Sequence, residues 1–293
     1  MPEGKILKAL SGFYYVINGE EIVQCRGRGV FRKNKITPLV GDDVVFQAEN
    51  ENEGYILEVK DRKNELVRPP IANVDQALLI FSAVEPSFST ALLNRFLVLI
   101  EYNHIQPVIV ITKMDLTTEK DRKLIEQYTE DYRNIGYEVV LTSSETEDGL
   151  EDLHPHLEGK ISVFAGQSGV GKSSLLNALK PDLELKTDII SLHLGRGKHT
   201  TRHVELIKVG NGLVADTPGF SSLEFLDIEQ EDLTFCFPEF QKASEHCKFR
   251  GCLHLSEPKC AVKLGVEDGS IPEYRYTDYQ VFIQEIKERK PRY

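Results

Sequence analysis

A glycine-rich octapeptide near the middle of the 293-residue chain has the residue types and spacing of a phosphate-binding loop. Apolar residues precede it from Ile161 to Ala165, and helical periodicity follows from Lys172 to Leu179. Glycine lets the backbone amides curl around phosphate oxygens, and the first turn of the following helix favours the same negative charge. The residues expected to line the phosphates are Gly166, Gln167, Ser168, Gly169, Val170, Gly171, Lys172, Ser173 and Ser174.

Two side chains of this loop have expected chemical roles. Lys172 should reach the β- and γ-phosphates, which gives it a catalytic role in phosphoryl transfer. Ser173 should bind Mg²⁺ through its hydroxyl. A chance glycine-rich turn is the alternative, but such a turn does not require a strand before it and a helix after it. The sequence therefore predicts a nucleotide site.

A second motif, upstream of the loop, predicts the base. Thr112, Lys113 and Asp115 follow the apolar run Val108 to Ile111, where an aspartate can accept two hydrogen bonds from guanine and the lysine stem can cover the ring. Adenine presents an acceptor where Asp115 needs a donor, and such an unpaired buried group supports discrimination of roughly 10⁴-fold. A surface lysine and aspartate at the end of a strand are the alternative. Together with the phosphate loop, the motif favours GTP over ATP.

Three further segments complete the predicted nucleotide site. Ser143 follows the strand that ends at Leu141 and is expected beside the guanine carbonyl, although a plain loop is an alternative. Asp216 is expected to hold Mg²⁺ through water, and the amide of Gly219 to meet the γ-phosphate, unless this segment is a simple proline-glycine turn. Thr201, or its neighbour Thr200, is expected to reach Mg²⁺ and the γ-phosphate from a mobile first switch.

Three cysteines and a histidine near the C-terminus have the spacing of a metal site. Cys247, Cys252, His254 and Cys260 offer three thiolates and an imidazole, the ligand set of a closed structural Zn²⁺ site. His246 is a rival ligand, and unpaired buried cysteines are the alternative to a metal. The chain has five cysteines and no signal peptide or apolar membrane span, so we expect a cytoplasmic, reduced protein.

Charge and periodicity divide the chain into three expected domains. Short alternating strands predict a small β-barrel of the oligonucleotide-binding (OB) type over residues 1–68, with a linker at Arg68-Pro69-Pro70. Strands that alternate with helices predict a parallel sheet flanked by helices over residues 69–224. A mainly helical, zinc-binding domain is expected over residues 225–293.

The formal net charge of −11 excludes a uniformly basic surface, so any contact with RNA must be regional. The first basic region predicts phosphate contacts, with Phe31 available for base stacking, although a solvated loop is the alternative. Its cations are Arg26, Arg28, Arg32, Lys33 and Lys35. A second basic region surrounds the cysteine cluster and comprises Lys242, Lys248, Arg250, Lys259 and Lys263.

The base-reading motif precedes the phosphate loop, which reverses the usual order and predicts a circularly permuted GTPase. This order, the leading barrel and the trailing Cys/His cluster together resemble the RsgA family over essentially the whole chain. The resemblance implies a GTPase that binds the small (30S) ribosomal subunit and its rRNA, acts late in subunit maturation, and hydrolyses GTP to GDP and phosphate under stimulation by the subunit. It also implies GTP or GDP, Mg²⁺ and one structural Zn²⁺ as ligands. We expect a monomer with no membrane contact.

Catalysis in this chain must differ from that of Ras-like proteins. Phe220 stands where a glutamine orients the attacking water, and its ring cannot bond to that water. His199 matches a histidine of the family's first switch and is the expected catalytic residue, with a solvated loop histidine as the alternative. A scaffold that binds RNA and senses nucleotide with little turnover is the second functional hypothesis, and Asp115 disfavours a third, an ATP-dependent kinase.

Overall fold

The computed structural model of the protein describes residues 1–29, 31, 36–50, 53–67, 69–180, 204–216 and 223–289. Its N-terminal strands form a five-stranded barrel: β1 Glu3–Leu10, β2 Phe13–Asn18, β3 Glu21–Gly27, β4 Asp43–Asn50 and β5 Glu53–Val59. They neighbour one another in the order β1-β2-β3-β5-β4, and β4 pairs again with β1, which closes the barrel. Alternate residues such as Val16, Val23 and Ile56 fill its interior.

Strand β1 lacks the regular alternation of buried and exposed residues that is typical of a barrel strand. A register shift between Ile6 and Lys8 interrupts its pairing with β2, so its side chains do not alternate cleanly. The predicted linker also differs in detail. Strands β6 (Glu65–Val67) and β7 (Pro70–Ala72) pair as an antiparallel hairpin, and the fully buried Ile71 bridges to Val40. This segment is extended, as expected before proline, but it packs against the barrel.

The described part of the central sheet has six strands: β8 Gln76–Ser82, β9 Gln106–Thr112, β10 Glu138–Leu141, β11 Ile161–Ala165, β12 Glu205–Val209 and β13 Gly212–Asp216. Their spatial order is β10-β9-β8-β11-β13-β12. The prediction of a parallel sheet is wrong at one edge, because β12 runs antiparallel to β13. Only Gly210 and Asn211 join these two strands, and so short a connection can form only a hairpin. At its other edge β12 meets β1, which joins the barrel to the sheet.

Among the described residues, four α-helices flank this sheet: α1 Thr90–Tyr102, α2 Glu119–Ile135, α3 Leu150–Leu157 and α4 Lys172–Leu179. Local signals define their ends. The Ser89 hydroxyl caps α1, and Thr118 and Asp121 form a reciprocal capping box at the start of α2, which ends at Gly136 in a left-handed conformation. The two faces of the sheet bury separate apolar clusters, one continuous with the barrel and the other beneath α3 and α4.

Between residues 223 and 289, which the structure describes, lie four further α-helices: α5 Gln230–Leu233, α6 Pro238–Ser244, α7 Ala261–Glu267 and α8 Glu273–Glu288. Their apolar core includes Val98 of α1, so this region packs directly on the central domain. A buried polar network reinforces the contact. Arg275 of α8 is fully buried and donates to both carboxylate oxygens of Glu239 and, at 2.8 Å, to Oδ1 of Asn94 on α1. Within the described ranges, every helix is too short or too polar to cross a membrane.

Candidate nucleotide site and metal cluster

The predicted phosphate loop lies at the carboxyl edge of the central sheet, between β11 and its neighbour β8. The chain continues from β11 towards β13 and β12, and from β8 towards β9 and β10, so the loop occupies the point where the winding of the sheet reverses. Ligands of open α/β sheets bind at such a point. Residues Gln167 to Gly169 form the exposed tip of the loop, whereas Val170 is 1% exposed and anchors it.

Two glycines of the loop are required by its geometry. Gly166 has φ 146°, and a Cβ there would lie 2.1 Å from the carbonyl oxygen of Ile80 on β8. Gly171 has φ 95° and begins α4 in a left-handed conformation. The loop therefore turns sharply against β8 and directs the first turn of α4, with Ser173 and Ser174, towards the carboxyl edge.

The ammonium group of Lys172 folds back over the loop. Nζ donates to the carbonyl of Gly166 at 2.8 Å and also to that of Gln167. Partial burial lowers the pKa of Lys172 from its ordinary value to about 8. The cause is loss of hydration of the charged form. A nearby phosphate would counteract this shift, so the site has a cation that is stabilised when an anion binds.

Thr112 brings the base-reading motif and the phosphate loop together. Its buried hydroxyl donates at 2.6 Å to the carbonyl of Val170 in the loop and lies 3.2 Å from the carbonyl of Phe81 on β8. Motifs that are 58 residues apart in the sequence therefore meet through one side chain. The sequence motif includes Thr112 but gives no indication of this contact, which depends on the neighbouring positions of β8, β9 and β11.

Lys113 and Asp115 follow at the end of β9. Lys113 adopts a left-handed conformation with φ 60°, and its Nζ donates to the carbonyl of Glu85 in the loop after β8. Asp115 lies in the short 3₁₀ turn Met114–Leu116 and is exposed, so its carboxylate is accessible to a ligand. The loop around Glu85, which sequence reasoning missed, therefore forms one side of the site.

Ser143 lies beside this motif, but its backbone amide and its hydroxyl already form hydrogen bonds within their own loop. The Thr142 carbonyl accepts from the Met114 amide at 3.3 Å, which holds the two loops together. The Ser143 amide donates to Asp148, and its hydroxyl accepts from the amides of Glu145 and Thr146. Ser143 thus shapes the loop, which leaves the next residue, the partly exposed Ser144, as the better-placed source of a backbone amide.

Several predicted site residues lie outside the described ranges: His199, Thr200 and Thr201 of the first switch, and Gly219 and Phe220 of the second. Asp216 is the last residue of β13, where it pairs with Glu205. Strand β13 is the parallel neighbour of β11, so Asp216 and the phosphate loop follow adjacent strand ends on the same edge of the sheet. The magnesium role that the sequence assigns to Asp216 stays a prediction.

The four predicted metal ligands form a cluster in the C-terminal region. The ligand atoms of Cys247, Cys252, His254 and Cys260 all lie within 4.8 Å of one another. His254 Nδ1 lies 3.3 Å from the Cys260 sulfur and 3.8 Å from that of Cys247. Three thiols and an imidazole at this spacing fit a tetrahedral Zn²⁺ ion. His246, the rival ligand, is exposed and lines a separate cavity between α2 and α7.

Groups around the cluster set the orientation of its histidine. The Ser244 hydroxyl donates to the Phe240 carbonyl at 2.6 Å, so at 3.1 Å from His254 Nε2 its oxygen acts as an acceptor. Nε2 therefore carries the imidazole proton, which leaves the lone pair of Nδ1 facing the sulfur atoms. The carboxylate of Glu257 accepts from the Leu253 and Leu255 amides and holds the loop that presents His254.

The prediction that Phe31 of the first basic region stacks on a base is wrong. Phe31 is only 6% exposed and belongs to the barrel core, so it cannot stack on a base. Arg26 and Arg28 are exposed, whereas Arg32, Lys33 and Lys35 lie outside the described residues. Around the metal cluster, Lys248 and Arg250 are exposed on either side of Phe249, which is 44% exposed.

Two arginines bind the chain just after the predicted second switch. Arg95 of α1 donates to the Leu223 carbonyl at 3.0 Å and pairs with Glu285 of α8, and its guanidinium lies over Phe225. At the end of α8, Arg289 donates to the carbonyls of Leu226 and Ile228. The segment after the switch is thus fixed to both the central domain and the C-terminal helices.

Comparisons with known proteins agree with this architecture. The family model described as the RsgA GTPase matches residues 59–226, and that of the RsgA N-terminal domain matches residues 3–56. Curated proteins named small ribosomal subunit biogenesis GTPase RsgA are 71% identical in Bacillus cereus and 68% identical in Bacillus subtilis, over the full length of both chains.

Two solved structures also match. The crystal structure of YloQ, described as a circularly permuted GTPase, has a TM-score of 0.87 and 63% identity and covers 100% of this chain and 97% of its own. That of YjeQ from Thermotoga maritima has a TM-score of 0.89 and 40% identity, covering 99% of each chain. The chain therefore belongs to the RsgA family of circularly permuted GTPases.

Proposed function

We propose that this GTPase acts in the maturation of the small ribosomal subunit and hydrolyses GTP to GDP and phosphate under stimulation by that particle. The observation that carries the nucleotide assignment is the hydrogen bond from Thr112 to Val170, which joins the base-reading and phosphate-binding motifs. The biological role rests on the printed names of relatives that align over their full length.

We assign the guanine-reading role to Asp115, with the stem of Lys113 against the ring and the Ser144 amide directed at the guanine carbonyl. The loop from Gly166 to Ser174 holds the phosphates through backbone amides, and Lys172 reaches their terminal oxygens. Exposure of Asp115 and of the loop tip, beside the buried anchors Thr112 and Val170, supports this assignment. Rigid anchors of this kind hold the reading groups in position before the nucleotide binds.

Magnesium belongs between the phosphate loop and Asp216. Ser173 and Thr201 would hold the ion directly and Asp216 through water, with Thr200 as the alternative threonine. When bound, the ion supplies positive charge to the phosphates. Catalysis then needs a group that orients water, and His199 is the proposed internal source because Phe220 cannot serve.

Zinc is the proposed ligand of the Cys/His cluster. Cys247, Cys252, His254 and Cys260 would occupy all four positions of a tetrahedral ion, so the role is structural. The bound ion would fix the loops between α6 and α7. Because the phosphate loop belongs to another core, we expect zinc removal to loosen the C-terminal region and to leave nucleotide binding intact.

The domain assignment proposed here is an OB-type barrel over residues 1–68, the permuted GTPase domain over 69–224 and a zinc-binding domain over 225–293. The closed order β1-β2-β3-β5-β4, with β3 parallel to β5, supports the barrel type. We propose that the barrel and the zinc-binding domain contact rRNA from opposite ends of the central domain and that the protein acts as a monomer in the cytoplasm.

The nucleotide state has a structural route to the zinc-binding domain. The segment after the second switch is bonded to Arg95 on α1 and to Arg289 on α8. Release of the switch on loss of the γ-phosphate would therefore act on both helices. Equal affinity of the protein for the small subunit with GDP and with a non-hydrolysable GTP analogue would contradict this coupling.

Steady-state phosphate release with and without purified small subunits tests the proposed function. We expect low turnover of the isolated protein and a large increase on addition of the subunits. His199→Ala should still bind GTP but lose most of that increase. A scaffold that senses nucleotide without turnover predicts subunit binding with no stimulation, and competition by ATP against labelled GTP tests the kinase alternative.

A further inference from the structure

A row of three side chains crosses the outer face of the barrel. Phe13 on β2 pairs directly with Arg26 on β3, and Arg26 pairs directly with Tyr55 on β5. Directly paired residues of neighbouring strands project from the same face of a sheet. Their chain neighbours Cys25 and Ile56 are fully buried, so the row faces outward. Two aromatic rings therefore flank one guanidinium on the barrel surface.

The row is accessible and its members interact. Tyr55 is 53% exposed, Arg26 is exposed, and Phe13 is half-buried. The Arg26 guanidinium carbon lies 4.8 Å from the centroid of the Phe13 ring, which holds its planar group against the aromatic surface. Exposed aromatics on a sheet beside a planar cation provide flat surfaces on which unpaired bases stack.

Charge favours an anionic partner at this row. Three lysines of the barrel are neutralised, because Lys5 pairs with Asp43, Lys8 with Glu205 and Lys60 with Glu3. Within the part of the chain that the structure describes, Arg26 makes no ion pair. It also begins the basic region that continues through residues 28–35 of the sequence. The row thus combines stacking surfaces with free positive charge on a chain of net charge −11.

We propose that Phe13, Arg26 and Tyr55 form a platform on which unpaired bases of RNA stack. The inference rests on the proposed function for its biological partner and replaces the role that the sequence suggested for Phe31. Stacking tolerates any base, and the exposed Arg28 would supply a second cation for the phosphate backbone. The platform is therefore a site for single-stranded RNA without strong sequence preference.

Tyr55→Trp tests the proposal directly, because the chain contains no tryptophan and the new ring would be the only indole. Titration with single-stranded octa-adenylate RNA should quench its fluorescence, since a base stacks on the ring. Unchanged fluorescence at saturating RNA, with binding followed independently by anisotropy of labelled RNA, would overturn the platform.

Alanine substitutions provide the second measurement. Phe13→Ala and Tyr55→Ala should each weaken RNA binding about 5- to 100-fold, the range expected for loss of one stacked base, and Tyr55→Phe should bind as the parent protein does. Val67→Ala is the matched control, because Val67 is 75% exposed but lies on β6, away from the row. Thermal unfolding of each variant shows whether it is folded. If an alanine variant is unfolded, the RNA binding of Tyr55→Trp and Tyr55→Phe tests the platform in its place.

The outcomes separate this inference from the proposed function. Platform variants that bind RNA as tightly as the control would refute the platform while subunit-stimulated GTP hydrolysis still stands. If the small subunit does not change GTP hydrolysis by the parent protein, the proposed function is refuted. Quenching of the fluorescence of the Tyr55→Trp variant by RNA would still support the platform in that case.

Discussion

Removal of the Thr112 hydroxyl should loosen the phosphate loop without changing the shape of the core. Thr112→Val keeps the branched side chain but leaves the Val170 carbonyl, now bonded at 2.6 Å, without its donor. Both residues are 1% exposed, so water cannot readily replace the lost partner. An unsatisfied buried group of this kind costs about 1–3 kcal/mol.

Two quantities should change. The free energy of unfolding should fall by ~1–3 kcal/mol, measured by denaturant titration of the nucleotide-free protein. If about 1–2 kcal/mol of that lost free energy must be recovered to order the phosphate loop when nucleotide binds, the affinity for fluorescent GDP should fall about 5- to 30-fold. The loss should be similar for ATP and GTP analogues, because the loop holds phosphate and not the base.

Thr129→Val is the matched control. Thr129 is 3% exposed and its hydroxyl donates at 2.8 Å to the Ile125 carbonyl within the same helix, α2. Ile125 belongs to the apolar cluster on the opposite face of the sheet from α4 and Val170, so GDP affinity should not change. If Thr112→Val binds GDP as tightly as the control does and is equally stable, Thr112 is not the tether between the two motifs.

Three further outcomes follow from the structure. GDP affinity should fall as pH rises above about 8, because phosphate favours protonated Lys172, whose pKa in the free site is lowered to about 8. Calorimetry in buffers of different ionisation enthalpy should therefore find proton uptake on GDP binding at pH 9 and little at pH 7. Equal proton uptake at the two pH values would contradict this role of Lys172. Ser244→Ala should weaken zinc binding about 10- to 100-fold in chelator competition, with Ser244→Thr close to the parent and nucleotide binding unchanged, because the hydroxyl fixes the tautomer of His254. Arg275→Met should destabilise the protein by about 3–5 kcal/mol, since Glu239 would remain buried without its partner, and Arg275→Met with Glu239→Leu should recover part of that loss in thermal unfolding.

Local sequence signals predict the parts of the site that depend on short segments. The glycines of the phosphate loop and the helix from Lys172 to Leu179 follow from the motif and its flanking periodicity, and α4 has those same ends. Metal ligands within fourteen residues cluster as their spacing indicates. In each case, neighbours along the chain supply most of the determining contacts.

Long-range contacts explain what the sequence could not supply. Phe31 lies within a basic region that suggests a surface loop, yet its side chain is buried in the barrel core. Asn94 and Arg275 are 181 residues apart, and neither local pattern indicates that they bond in one buried network. The short Gly210-Asn211 turn does indicate a hairpin of β12 and β13 in the sequence. The alternation of strands with helices elsewhere in the domain led instead to the prediction of parallel strands.

The purine preference of Asp115→Asn tests most directly whether two motifs in inverted order surround one guanine nucleotide. Guanine offers two donors to the carboxylate, whereas xanthine has an oxygen in place of the exocyclic amine and pairs better with an amide that both donates and accepts. We expect the variant to lose GDP affinity by at least 100-fold and to bind xanthosine diphosphate more tightly than GDP. An unchanged preference for GDP over xanthosine diphosphate would contradict the account.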